Sequence, residues 1–362
     1  MIIYYILFAI LIVFAILDDN LTIKSKRQLL VLTGFILVLF AGLRSMNVDK
    51  DYNSYSRLFD LSPSPFKIIF DPINTLIKSK NEPTLTLIFS IIKSIFSKGF
   101  PIVIFIYALL SVTLKLKALK LMTNNIMLSI LIYFSSIYIL QDMTQIRAAV
   151  ASGLFLLSIP QIINQNSKKF FLIIFLAICF HYSAIIFLPF YFFNTHKINK
   201  ILFVFILVIP LTLALFKYNP FNFLTQFDFG IYTFKIKAYL IGQAWEKRPI
   251  NIFNFSILFQ IGICVFFVLF CEKLNNKFVV ILTKINCFGV ALFYIFSYSP
   301  VLAFRISDML GIVQIILVPY LIYFIKPRAL AEGVVILISF ALFINQLVIH
   351  PILNPYELVF FK

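Results

Sequence analysis

Three arginines, one histidine and a few carboxylates stand inside or beside apolar stretches of this 362-residue chain. Ionisable groups in such surroundings are costly and as a rule functional. Arg147 opens the apolar run Ile146-Arg147-Ala148-Ala149-Val150, directly after the polar turn Gln141-Asp142-Met143-Thr144-Gln145, which reads as the rim of a pocket. Arg305 lies between two apolar runs, with Asp308 three residues on, the spacing of a helical ion pair. His181 sits about eleven residues into a run without flanking charge. Arg44 leads a polar stretch that holds Asp49, Asp51, Tyr52 and Tyr55 and closes on Asn81-Glu82-Pro83. Fixed guanidiniums grip phosphates bidentately and stabilise charge that develops on them. Such a set suits a lipid-linked pyrophosphate whose isoprenoid tail stays in the membrane.

Other chemistries lack their residues. Asp49-Lys50-Asp51 is formally a D-x-D, which can hold a divalent cation. No second histidine or cysteine stands at ligand spacing from His181, so no zinc site is expected. Cys179, Cys264, Cys271 and Cys287 read as small buried hydrophobes. There is no P-loop, G-x-G-x-x-G, G-x-S-x-G or H-E-x-x-H, so ATP-driven transport and soluble-type hydrolysis lose support.

The elements that must position these groups follow from composition. Hydrophobic residues make up 62% of the chain and charged residues only 12%, against about 25% in an ordinary globular domain. That excludes a water-soluble enzyme and predicts an all-α, polytopic helical membrane protein. Twelve apolar runs, from 1–17 to 331–349, predict about 10–12 membrane segments in one integral domain over 1–362. The first run lacks a basic leader and a cleavage site and reads as a retained helix. Two long connections, 44–82 and 218–251, are expected to carry binding or chemistry.

The net charge of +17 does not point to nucleic acid here, because the lysines and arginines gather in short loops. Lys24 to Arg27, Lys115-Leu116-Lys117 with Lys120, Lys168-Lys169 and Lys326-Pro327-Arg328 are examples. They read as cytoplasmic anchors. To put them all on one side, 83–114 must make a single net crossing and 170–193 must turn back at His181-Tyr182-Ser183. Both termini, the two long loops, the 141–147 turn and His181 then share the external face.

The residues fall in a familiar order. Ala41-Gly42-Leu43-Arg44 is followed by Val48, Asp51, Tyr55 and Phe59, then Glu82-Pro83 and Gln145-Ile146-Arg147. His181-Tyr182-Ser183-Ala184, Phe304-Arg305-Ile306-Ser307 with Pro319, and Asn354-Pro355-Tyr356 close the series. In this the chain resembles the EpsG-like branch of Wzy-type polymerases, bacterial proteins that build O-antigen, capsule or exopolysaccharide. It departs from the family where small residues usually precede the loop aspartate, having Asp49-Lys50 instead.

The resemblance implies a membrane glycosyltransferase of the C type in the bacterial inner membrane, without metal, nucleotide sugar or other cofactor. Its partner would be an undecaprenyl-pyrophosphate-linked oligosaccharide, in the lipid bilayer, with a chain-length regulator in the family context. The growing glycan would pass to the non-reducing end of another lipid-linked unit, as in lipopolysaccharide biosynthesis. Arg147 and Arg305 are expected to hold the pyrophosphate and Arg44 a phosphate of donor or acceptor. The base is His181, Asp51 or Glu82. Tyr52, Tyr55 and Trp245 could stack on sugar rings, and Gln145 lines the substrate site. The alternatives are a polyprenyl-linked sugar ligase or transferase, and a flippase of lipid-linked glycans.

Overall fold

A computed structural model describes residues 1–79, 81–218 and 250–359. Most of the 218–251 loop, with Lys235, Lys237, Trp245, Lys247 and Arg248, lies outside the described residues. The fold is all-α, and each of the twelve apolar runs falls on helix. Among the described residues, six helices are long and apolar enough to cross a membrane, a seventh if Pro300–Gly311 and Gln314–Tyr323 count as one bent span, and five shorter apolar helices accompany them. The protein is thus a multi-pass membrane protein. Its chain forms two compact units, Met1–Phe193 with Gln314–Lys362, and Asn194–Val313.

In the first unit, α1 (Ile2–Asp18) and α2 (Ile23–Gly42) form a hairpin, with the Thr22 hydroxyl capping α2 through Ser25 N. Helix α7 (Phe100–Met122) runs antiparallel to α2 at close range. A Cβ on Gly42 would meet Phe105 at 2.6 Å, and one on Gly34 would meet Leu116 at 2.7 Å. Only glycine lets the two backbones come so near. Between them, 44–82 folds into α3 (Tyr52–Asp60), α4 (Pro65–Phe70) and α5 (Pro72–Ser79). Helix α6 (Pro83–Ile95) then packs on α7. Thr84 lies beside Tyr107, two turns into α7, and the other end of α6 joins α7's start through 96–99. Helix α6 therefore accompanies only the first part of α7, and of the two only α7 is long and apolar enough to cross a membrane.

A second hairpin follows α8 (Ile126–Tyr133) and its π-helical continuation Phe134–Asp142. Helix α9 (Ile146–Ile163) descends and α10 (Ser167–Phe180) returns, capped by the Asn166 side chain on Lys169 N. At His181 the backbone becomes extended, and a 3₁₀ segment, Tyr182–Phe192, folds back. The Tyr191 ring sits 5.1 Å from that of Phe170, and its hydroxyl donates to Gln165 O. The turn expected at His181 is present. At about 1.5 Å per α residue and 2.0 Å per 3₁₀ residue, the two arms have nearly equal length.

Helix α1 is pinned at both ends. Tyr4 donates to Asn354 O of the C-terminal tail, and Asp19 pairs with Arg328 at the start of the helix Arg328–Ile344. Tyr320 donates to Met122 O and Asn125 to Tyr323. Lys24, Lys26, Lys120, Lys326 and Arg328 thereby collect at the end opposite the tail. One basic residue departs from the expected pattern. Lys115 is not in a loop: the helix expected over 101–114 continues to Met122, and Lys115 is buried inside it.

The second unit holds α11 (Lys200–Leu215), α12 (Phe255–Phe270), α13 (Lys277–Ile295) and α14 (Pro300–Gly311). Helix α13 is its core, and its Lys284 donates to Asn194 O and Lys197 O at 2.5 and 2.6 Å. Cys264, Cys271 and Cys287 are buried and free, as expected.

Candidate active site

Three helix ends of the first unit bring Arg147, Glu82 and His181 together. Arg147 is the second residue of α9, Glu82 the N-cap of α6, and His181 the C-cap of α10. Glu82 is the bridge. Its Oε2 accepts from Arg147 Nη1, and its Oε1 pairs with His181 Nδ1 at 2.9 Å. The neighbouring backbones are laced across: Thr84 Oγ1 donates to Cys179 O at 2.8 Å and Tyr182 to Asn81 O at 3.1 Å. Tyr55 completes the group. Arg147 Nε donates to its hydroxyl oxygen at 3.3 Å, and the guanidinium lies 5.3 Å from its ring centre.

Helix ends explain the electrostatics. A cation at the N-terminus of α9 faces the positive end of the helix dipole, which disfavours it. Glu82 and the Tyr55 oxygen offset this, and an incoming anion would be favoured by helix end and guanidinium together. Burial pushes the Glu82 carboxyl up, but the His181 hydrogen bond and the Arg147 charge outweigh it, so the net shift is downward. Glu82 is ionised at neutral pH and accepts from Nδ1–H of His181, which leaves Nε2 as the basic nitrogen. Burial raises the Tyr55 hydroxyl above its ordinary value, so it stays protonated. The three side chains differ in exposure: 5% for Glu82, 15% for His181 and 26% for Arg147. Among the described residues, Arg147 Nη2 and His181 Nε2 carry no hydrogen bond.

The lowered carboxyl has a sign. Its stabilising effect is full above the ordinary value of 4.5 and is lost as pH falls through the lower native value. Glu82→Gln is therefore expected to lower the unfolding temperature in detergent at pH 6–8, through loss of bonds contributing about 1.5–3 kcal/mol each. The gap to wild type should close only below the ordinary carboxylate range. A gap unchanged down to pH 3 would contradict the assignment.

The other expected residues are divided between the two units. Arg44 is 1% exposed, with Nε on Asp49 Oδ2 at 2.8 Å and Nη1 on Ala41 O at 2.6 Å. The other Asp49 oxygen accepts from Asp51 N and Tyr52 N and so starts α3. Asp49 is thus committed to a turn. Asp51 is exposed at the head of α3. Tyr52, Tyr55 and Phe59 form the buried stripe of α3, and the Tyr52 ring stands edge-on to Phe100. Gln145 is the half-buried N-cap of α9 and makes no capping bond with its side chain. Arg305 does not lie between runs but within α14 of the second unit, and among the described residues it forms no ion pair with Asp308.

The 141–145 turn is not a solvent-facing rim. Asp142 is fully buried, accepting from Lys115 Nζ at 2.6 Å and from Ser111, while Ser152 donates to Gln141. Lys115 also donates to Ser111 at 2.8 Å and sits over the Tyr133 ring. The lysine-rich spacing hid this pair. The one available signal was Ser111 four residues before Lys115, on the same helix face.

The C-terminal tail clamps the Arg44 segment. Val359 N donates to Leu43 O, Ser45 N to Glu357 O and Asn354 N to Val48 O, at 2.8–2.9 Å. Tyr356 donates to Phe40 O and stacks on the Phe40 ring at 4.3 Å. A model of the EpsG family matches residues 27–358. The chain belongs to the EpsG family. That stretch runs from the start of α2 to this clamp, and it contains every side chain of the cluster. Membership suggests a polysaccharide-polymerase-like function. No curated protein and no solved structure matches the chain. Cutting the tail after His350 is expected to expose 44–82, raising its rate of protease cleavage about tenfold, since several backbone bonds of about 1 kcal/mol each are lost. Unchanged cleavage would show that the clamp does not order the loop.

Proposed function

We propose that this EpsG-family protein polymerises lipid-linked oligosaccharide repeat units at the external side of the bacterial inner membrane. The growing glycan passes from undecaprenyl pyrophosphate to a hydroxyl at the non-reducing end of a second lipid-linked unit. The observation that supports this is the Arg147–Glu82–His181 arrangement. An ionised carboxylate fixes an imidazole with its basic Nε2 outward, next to a guanidinium with a free edge at a helix N-terminus. A glycosyl pyrophosphate is already activated, so the site has two tasks. His181 Nε2 takes the proton of the attacking hydroxyl, and Glu82 stabilises the imidazolium that forms. As the new C–O bond forms and the bond to pyrophosphate breaks, the Arg147 edge holds the departing charge. No metal takes part in these steps. Arg44 acts on the site through Asp49 and α3, which carries Tyr55 to Arg147. Arg305, on α14 of the second unit, is a second candidate for binding pyrophosphate.

Surface-glycan electrophoresis in a deletion strain tests the proposal. Wild type should restore a length ladder, and Arg147→Ala, His181→Ala or Arg305→Ala at equal membrane levels should leave single repeats. A deletion strain without surface units, but with lipid-linked units accumulating inside, would support a flippase instead. Addition of one block without a ladder would support a ligase.

A further inference from the structure

Next to Glu82 lies a cleft of about 540 Å³ between α3, α4–α5 and α6. That is within the roughly 300–1,000 Å³ range of pockets that hold small molecules. Asn81 and Thr86, on either side of Glu82, both line it. Lys67 and Lys78 face it with Asp71 and the hydroxyls of Thr75 and Ser79, and Phe89 supplies an apolar wall. Lys93 fixes the adjoining end of α3 by donating to Asp60 O and Ser62 O. Neither Lys67 nor Lys78 forms an ion pair among the described residues. The same two short helices carry Phe66, Ile69, Phe70 and Ile73, exposed by 70–83%. Four large apolar side chains in eight residues, left bare in a membrane protein, belong in the lipid interface.

We infer that this cleft is an entry subsite for the phosphorylated head of a polyprenyl-linked saccharide, with α4–α5 resting on the bilayer so that the tail stays in lipid. The inference rests on the reading of the protein as a polymerase and gives the second lipid-linked unit a place beside the Arg147 cluster. The two ammoniums meet the phosphates, and hydroxyls, amide and Phe89 meet the sugar.

The test is equilibrium binding of radiolabelled farnesyl pyrophosphate to the full chain in lipid nanodiscs. Binding is measured in an Arg147→Ala, Arg305→Ala background, which removes the other proposed pyrophosphate cations. Adding Lys67→Ala and Lys78→Ala, both exposed positions that leave packing intact, should weaken binding at least tenfold. Phe66→Ser with Ile73→Ser should weaken farnesyl pyrophosphate but not inorganic pyrophosphate used as competitor. Unchanged binding of both would point to a free phosphate site instead of a lipid-headgroup site, and equal loss of both would make the apolar face a mere support of the cleft; either overturns the inferred ligand. Unchanged binding in the lysine variant overturns the subsite. The assay needs no polymerisation, so a cleft that binds in a protein that makes no ladder would leave the subsite standing and sink only the polymerase reading.

Discussion

Arg147→Lys is expected to cut polymer formation by about 10²–10³-fold, nearly as far as Arg147→Ala, although the charge is kept. Removal of one preorganised donor to a developing anion typically costs that much. In one plane the guanidinium reaches Tyr55 through Nε and Glu82 through Nη1, while Nη2 has no hydrogen bond among the described residues and is the edge proposed for substrate. An ammonium is a point charge on a flexible stem and cannot hold two fixed partners while offering a third edge. Tyr55→Phe keeps the ring under the guanidinium and removes one acceptor, so a loss of less than tenfold is expected. Glu82→Gln and His181→Ala should each be severe, and the double variant no worse than the more severe single, because residues acting as one unit are not additive. Ladder intensity against membrane-protein level reads all six. A wild-type ladder from Arg147→Lys would reduce Arg147 to a generic positive charge.

The site was legible in the sequence where polar residues interrupt apolar runs. Arg147 and His181 stood out because burial of such groups needs a reason, and Glu82 because it closes the polar stretch just before an apolar run. Even the reversal at His181 followed from charge placement, since the basic ends of α10 and its return arm had to share a face. Partner choice was not legible. That Glu82 spans the two others depends on α6 accompanying only the first part of α7, which the close approach at Gly42 and the Thr84–Tyr107 neighbourhood set in three dimensions. Arg44 looked like a phosphate ligand, and its Nε is held by Asp49, the residue whose other oxygen launches α3. Lys115 misled because it precedes Lys117 and Lys120, which do mark a helix end. A charge pattern read along the chain cannot tell a lysine leaving the membrane from one held within it by a partner 27 residues away.

That partner gives the Lys115–Asp142 pair a large expected effect on stability. Both side chains are 0% exposed, and the ammonium has Asp142, Ser111 and the Tyr133 ring around it. Breaking such a pair from one side leaves an uncompensated buried charge and costs about 3–5 kcal/mol. Against a net stability of about 5–15 kcal/mol, Lys115→Met or Asp142→Asn alone should lower the unfolding temperature sharply and deplete the protein from the membrane. The double variant removes both charges while keeping side-chain volume, and the amide that Asp142→Asn introduces can still accept from Ser111, so most of the stability should return. Activity should not return with it. Asp142 ends the π-helical segment only five residues before Arg147, and π segments inside helices often serve to place functional groups. Without the ion pair that turn loses its fixed anchor on α7, and a guanidinium displaced by about 1 Å can cost 10²-fold. A double variant with restored melting temperature but a weak ladder would assign the pair to aiming Arg147. Full recovery of both would make it a packing device alone.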